Sequence, residues 1–462
     1  MTEEKIMREK QNKIDMCNGP LAGKMIAFAL PLMLSGVLQL LFNAVDIMVV
    51  GKWISSEALA AVGSTGTMII LLTSIFMGLS VGTNILTARY YGAGNEKQLH
   101  DIVHTSMALG IVCGIIMAVI GIAASETLLK GMGTPEEILD MAVLYMRIYF
   151  LGVPVTMIYN MGAAVLRAGG DTRRPMYFLL LAGVANAGLN IFFIVVCHLG
   201  VAGVALATVL SQTMAMLCLL WTLCRSDDSI HLKLRDIRLN GDEAKKILGI
   251  GIPASLQTVL FAFSNVLIQS SINSFGTAVM AGSAAAANLE GFVTTAMNSF
   301  HQTSMNFTSQ NYGAGKVDRI KKVMILALVF DFIAGLILGN AVYLFGDRLL
   351  GIYLDDARSI EYGMVRLKYT CILYFLLGTI DIFVGVMRGM GRVIPPMIIS
   401  LVGVCGFRIL WLYTVFQKYH TIDVLFLSYP VSWGITMLAQ MLLTWYVWKR
   451  AIGKNKNITA EN

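Results

Sequence analysis

The chain has 462 residues, of which 56% are hydrophobic and only 14% charged, with a net charge of +7. Soluble domains carry about 25% charged residues, and a mean hydropathy of +0.69 excludes an ordinary water-soluble protein. The basic excess forms no patch interleaved with aromatics, so the expected partner is the lipid bilayer and not nucleic acid.

Residues 1–23 are charged and polar and read as a cytoplasmic N-terminal tail. Apolar runs of the roughly 20 residues that a bilayer requires follow at 24–50, 58–88, 100–124, 140–166, 175–197 and 200–224. The hydrophilic stretch 225–246 is the only credible linker. Six more runs occupy 247–275, 280–308, 320–346, 362–387, 394–417 and 422–448, and 449–462 reads as a cytoplasmic C-terminal tail. Lipid offers the backbone no hydrogen-bond partner, so such spans are helices. The first run is too long for a signal-peptide core, and no cleavage is expected. The expected fold is an all-α integral membrane protein with twelve transmembrane helices in two six-helix bundles, 24–224 and 247–448.

The two halves repeat one another. Arg89-Tyr90-Tyr91-Gly92-Ala93-Gly94 returns as Gln310-Asn311-Tyr312-Gly313-Ala314-Gly315, and Leu166-Arg167-Ala168-Gly169-Gly170 as Met387-Arg388-Gly389-Met390-Gly391. Pro31 matches Pro253. The offset is 222 residues at the prolines and 221 at the other two motifs. So constant an offset is a duplication. With an even number of spans per repeat, the halves share one orientation, related by a pseudo-two-fold axis along the membrane normal.

Orientation follows from the basic residues. With the N-terminus cytoplasmic, the opposite loops hold only Lys52, Lys130, Arg348, Arg358 and Lys418 of the 35 Lys and Arg residues. Arg147, Arg366, Lys368 and Arg408 fall within or at the ends of spans, and all the others lie inside. Both termini are therefore expected in the cytoplasm, with the protein multi-pass in a bacterial inner membrane.

The seven cysteines form no C-x-x-C pair and read as small hydrophobes. No histidine is taken to sit at metal-ligand spacing; His104, His198 and His301 read as scattered singly, against a membrane-embedded enzyme. Tyr91-Gly92-Ala93-Gly94 has no Lys-Ser/Thr after it, so no nucleotide loop is expected. No cofactor is expected beyond a coupling ion. Single glycines such as Gly36, Gly63, Gly66, Gly78 and Gly82 suit close helix approach. Pro31, Pro154 and Pro253 can bend spans.

Taken together, the twelve spans, Pro31, Asp46-Ile47-Met48-Val49-Val50-Gly51, Tyr91-Gly92-Ala93-Gly94, Leu166-Arg167-Ala168-Gly169-Gly170-Asp171, Gly203-Val204-Ala205-Leu206-Ala207-Thr208 and Gln310-Asn311-Tyr312-Gly313-Ala314-Gly315 resemble the multidrug and toxic compound extrusion (MATE) family. The resemblance covers nearly the whole chain. It implies a monomeric secondary transporter that exports small, amphipathic, often cationic organic molecules against protons or sodium by alternating access. A flippase of the same superfamily, acting on lipid-linked oligosaccharides or peptidoglycan precursors, is the alternative; few arginines are placed to line the cationic cavity it would need.

In span one, Gln39, Asn43 and Asp46 share a helix face. A carboxylate in lipid costs roughly 2.5–3.5 kcal/mol even on insertion scales, so the stripe should face the bundle interior. Asp46 reads either as a carboxylate that holds and releases a cation or as an inert one near the interface. The resemblance places Asn186 and Asn190 of span five and Thr208 of span six beside it. One carboxylate, two amide carbonyls and a hydroxyl would suit a proton or, as a metal, sodium. Relatives often carry aspartate where this chain has Asn190. The bland reading of the pair is helix–helix hydrogen bonding.

In span seven, Gln257, Asn265, Gln269 and Asn273 fall at multiples of four. The NorM-like branch places a glutamate in this span, where this chain reads Leu260-Phe261-Ala262, so the resemblance points to a DinF-like arrangement with coupling in the first bundle. Glu290, Asp331 and Asp381 are further intramembrane acids that could bind a cation or cationic drug; for Asp331, pairing with Arg408 is the plain alternative. Arg167 and Arg388 are expected to anchor loops, and the 28 methionines mostly to pack or face lipid.

Overall fold

The computed structural model describes residues 13–460. The start of the expected N-terminal tail, with Lys5, Arg8 and Lys10, and the last two residues lie outside the described residues. Every regular element among the described residues is helical. They fall into two compact units: the first runs to Leu256 and includes Gly313–Gly315, and the second takes the rest.

In the first repeat, α1 is Leu21–Trp53, α2 Ser56–Gly92 and α3 Glu96–Gly131. The fourth span is bent: α4 (Glu136–Leu151) and α5 (Val153–Ala168) meet at Gly152 with a 43° turn. Pro154, at the start of α5, has no N–H to join the two rods. Next come α6 (Arg173–Ile191), which ends in a π-helical turn over Phe192–Val196, and α7 (Gly200–Cys224).

The second repeat follows the same order. It comprises α8 (Gly241–Asn273), α9 (Thr277–Gly313) and α10 (Val317–Leu344). A short α11 (Gly346–Leu350) precedes a second bent span, α12 (Ala357–Thr370) and α13 (Tyr374–Gly389), which turns by 45°. The fifth span is α14 (Ile394–Ser400), a π-helical turn at Leu401–Gly406, α15 (Phe407–Tyr413) and α16 (Val415–Tyr419). The last helix, α17, runs over Ile422–Ala460, well into the stretch expected as a tail.

Among the described residues the architecture is thus twelve long helical segments in two repeats of six. Eight single helices and the two bent pairs are long and apolar enough to cross a membrane. The remaining two, α2 and α9, are 37 residues each. At 1.5 Å per residue that exceeds a hydrocarbon thickness of about 30 Å, but their many Ser, Thr and Asn residues make them less apolar than the others. Most of that polarity is internal: Thr83, Asn84 and Thr87 of α2, and Thr303, Ser304, Asn306, Thr308 and Asn311 of α9, are buried.

The segment between α7 and α8 is not a free tether. Ile230 and Leu232 are buried, and Leu232 donates its backbone N–H to Leu223 O at 3.1 Å. Asp228 takes Lys13 Nζ at 2.8 Å and the Tyr91 hydroxyl at 3.0 Å.

Candidate cation-coupling site

Gly183 of α6 faces the Phe42 ring so closely that no Cβ fits between them. That approach brings the polar face of α1 onto α6. Fully buried Asn190 donates its amide nitrogen to Asp46 Oδ1 at 2.6 Å and to Asn186 Oδ1 at 3.2 Å. Asn186 donates in turn to Thr208 Oγ1 at 3.4 Å, and the Thr208 hydroxyl to Val204 O at 3.1 Å. Residues of three helices are thus linked: Asn190 donates both ways, to the Asp46 carboxylate and into a chain that runs through Asn186 and Thr208 to the Val204 carbonyl. Asn190 sits two residues before the π-helical turn of α6, an irregularity frequent at functional sites.

The orientation of the amides differs from the sequence expectation. Two carbonyls were to face a cation, but Asn186 Oδ1 is taken by Asn190 and it is the Asn190 nitrogen that meets Asp46. Asn190 Oδ1 is buried with no hydrogen-bond partner, so it and the second Asp46 oxygen are the acceptors left open.

Asp46, Asn186 and Thr208 line a cavity of about 260 Å³ together with Gln39, Asn43, Tyr145, Tyr149, Ser211 and Gln212, and no lining residue is basic. The sequence reading missed Tyr145 and Tyr149. Their i, i+4 spacing stacks the rings with centroids 6.4 Å apart, a surface suited to an organic cation. Methionines are absent from this lining.

In the second unit the acids part company. Glu290, read as a possible cation ligand, is engaged: Arg366 Nε and Nη2 reach its two oxygens at 2.9 and 2.8 Å, and the Thr370 hydroxyl donates at 2.7 Å. Asp331 is fully buried with both oxygens unpartnered, and it packs against Gly378 of α13, where a Cβ would collide with the carboxylate. Its suggested partner Arg408 instead donates to Ser432 at 3.0 Å and lies 4.0 Å from the Tyr429 ring. Asp381 lines a cavity of about 270 Å³ with Gln257, Met297, His301 and Arg388. Arg388, expected to anchor a loop, donates to Gln257 Oε1 at 2.7 Å inside this cavity and is 8% exposed. His301 Nδ1 donates to the Asp381 backbone oxygen at 2.6 Å. Asn265 and Gln269 are exposed and line neither cavity; Gln269 donates to Asn273 at 2.9 Å. Pro31 is buried within α1, Pro253 is half-buried within α8, and Arg167 lies in the last turn of α5.

The reading of histidines as solitary is corrected. His100 and His104 stand one turn apart on α3 with rings stacked at 3.9 Å. The His-x-x-x-His spacing of the pair is visible in the sequence.

The MatE family model matches residues 31–192 and 253–414, once per repeat. The chain belongs to the MATE family. This MATE protein is 28% identical over 458 residues to the "Probable multidrug resistance protein YoeA" of Bacillus subtilis (strain 168), covering 97% of this chain and 98% of the relative. It is 24% identical to the "FAD transporter" of Shewanella oneidensis, over 84% of this chain and 86% of that one. A solved structure described as an outward-facing conformation of a multidrug resistance MATE family transporter shares its fold, with a TM-score of 0.88 at 21% identity, covering 95% and 98% of the two chains. The protein is a multi-pass MATE transporter and not an enzyme.

Proposed function

We propose that the protein exports amphipathic organic cations, driven by proton entry through Asp46. The observation that carries this reading is a lone, half-buried carboxylate in a polar cavity without a basic lining residue, held by one amide donor. A carboxylate so placed can take one proton, and its uncompensated charge can hold an organic cation in the same cavity, so the two compete. That competition is the minimum requirement of an antiporter. The multidrug resistance name of the Bacillus subtilis relative supports the substrate class. Sodium is the weaker candidate. It needs several oxygens, and here one amide carbonyl is spent on Asn190 and the other stands alone. Residues 24–224 and 247–448 are then the two bodies that alternate, in a DinF-like manner, with the coupling in the first.

A second reading, export of an anionic organic molecule, is favoured by Arg388 in the other cavity and by the relative named as an FAD transporter. Inverted membrane vesicles decide between them. Efflux of a cationic dye driven by an imposed proton gradient, lost in Asp46→Asn and indifferent to sodium, is the expected result. Transport driven by sodium alone would overturn the proton assignment, and transport of anionic but not cationic dyes would overturn the substrate class.

A further inference from the structure

Outside both cavities, the start of α3 and the segment joining the repeats bring together three side chains for which the transport reading has no use. His100 and His104 occupy one helix face, rings stacked at 3.9 Å. His104 is 1% exposed, and its Nδ1 lies 2.7 Å from His100 O. That carbonyl can only accept, so Nδ1 carries the proton and Nε2 presents a lone pair. Metal-bound imidazoles are oriented in this way. His100 Nε2 lies 3.3 Å from Asp236 Oδ2, while its Nδ1 faces Asp101 Oδ1 at 4.0 Å. Asp236 arrives on a 3₁₀ turn, Leu234–Asp236, of the inter-repeat segment. The donor atoms of His100, His104 and Asp236 lie within 4.8 Å of one another.

We propose that His100, His104 and Asp236 bind a divalent transition-metal ion that fastens the inter-repeat segment to α3. Two imidazole nitrogens and one carboxylate oxygen suit zinc, nickel or copper, with a fourth position left to water. With bonds near 2.0–2.1 Å, tetrahedral donors stand about 3.3 Å apart, so the three must draw in by roughly 1.5 Å. The site permits that movement: the His100 and Asp236 side chains are 37% and 43% exposed. The Lys233 backbone N–H donates to His104 Nε2 at 3.0 Å. An arriving ion takes that lone pair, and the N–H of the exposed Lys233 turns to water. Asp101 Oδ1 takes Arg238 Nη2 at 3.3 Å and stands 4.0 Å from His100 Nδ1, too far for a hydrogen bond.

The test uses the full chain purified in detergent, with zinc competed against a fluorescent chelator. One equivalent should bind with a dissociation constant of about 10 µM or tighter. His100→Ala and Asp236→Asn should each weaken it at least about tenfold, and the exposed His198→Ala should leave it unchanged. Zinc should also slow trypsin cleavage at Lys233, Arg235 and Arg238, in the wild type and not in His100→Ala; this second readout is independent of the affinity measurement. Absence of saturable binding, equal affinity in wild type and either variant, or cleavage indifferent to zinc would each overturn the proposal. The transport reading stands or falls separately, since neither Asp46 nor either cavity takes part.

Discussion

Substituting Glu290 by Gln separates a structural carboxylate from a functional one. Both oxygens of Glu290 receive Arg366, at 2.9 and 2.8 Å, and Thr370 adds a third bond at 2.7 Å. The remaining guanidinium nitrogen is committed to Ser283, to Oγ at 2.7 Å and to the backbone oxygen at 3.2 Å. Glutamine keeps the shape but turns an N–H toward the guanidinium. One of the two charge-assisted bonds is lost, and Arg366, 9% exposed, is left without a counter-charge. Removing one partner of a buried pair costs about 3–5 kcal/mol, a large part of the roughly 5–15 kcal/mol that holds a typical domain. The expected outcome is a lower midpoint of thermal unfolding in detergent for Glu290→Gln. Replacing both partners by apolar residues of similar volume is often neutral or stabilising, so the pair Glu290→Met with Arg366→Met should recover most of the loss. If Glu290→Gln unfolds like the wild type yet stops efflux, the carboxylate is part of the transport cycle and the structural account fails.

Asp46→Asn should fold and insert normally but lose gradient-driven efflux; one charge through 100 mV is worth about 2.3 kcal/mol, roughly fifty-fold in accumulation, and full retention of that accumulation would refute the coupling role. Asn190→Asp, which restores a second charge one turn from Asn186, should introduce sodium stimulation at fixed pH; a wild type already strongly stimulated would contradict the proton assignment. Arg388→Lys should alter which dyes are exported at unchanged protein level, because Arg388 reaches Gln257 inside a cavity, whereas Arg167→Lys should be mild; identical dye profiles in wild type and Arg388→Lys would return Arg388 to a structural role. Gly378→Ala should destabilise by about 1–3 kcal/mol through overpacking, measured as a fall in unfolding midpoint, and Asp331→Ala should relieve it by clearing the carboxylate from the new Cβ; no relief would mean the collision is made elsewhere.

The sequence by itself determined the helical class, the duplication and the number of long segments, because lipid forces each backbone to satisfy itself locally and leaves the answer in runs of apolar residues. Helical spacing marked Gln39, Asn43 and Asp46 as one face of span one and paired Asn186 with Asn190 in span five; only the family resemblance placed that pair and Thr208 beside Asp46. What it could not settle is which atom of each meets which. The Asn190 amide turns its nitrogen to Asp46 because three helices converge there; spacing along one helix says nothing about its neighbour. For the same reason Glu290, Asp331 and Asp381 looked alike in sequence. Arg366 lies 76 residues from Glu290 along the chain and neutralises it, while Asp331 packs against Gly378 with neither oxygen hydrogen-bonded. Arg388, at the end of an apolar helix, read as a loop anchor until packing placed Gln257 within reach. The His100–His104 pair was legible from local periodicity alone; its third member, Asp236, was not, because only the folding of the inter-repeat segment back onto α3 brings it there.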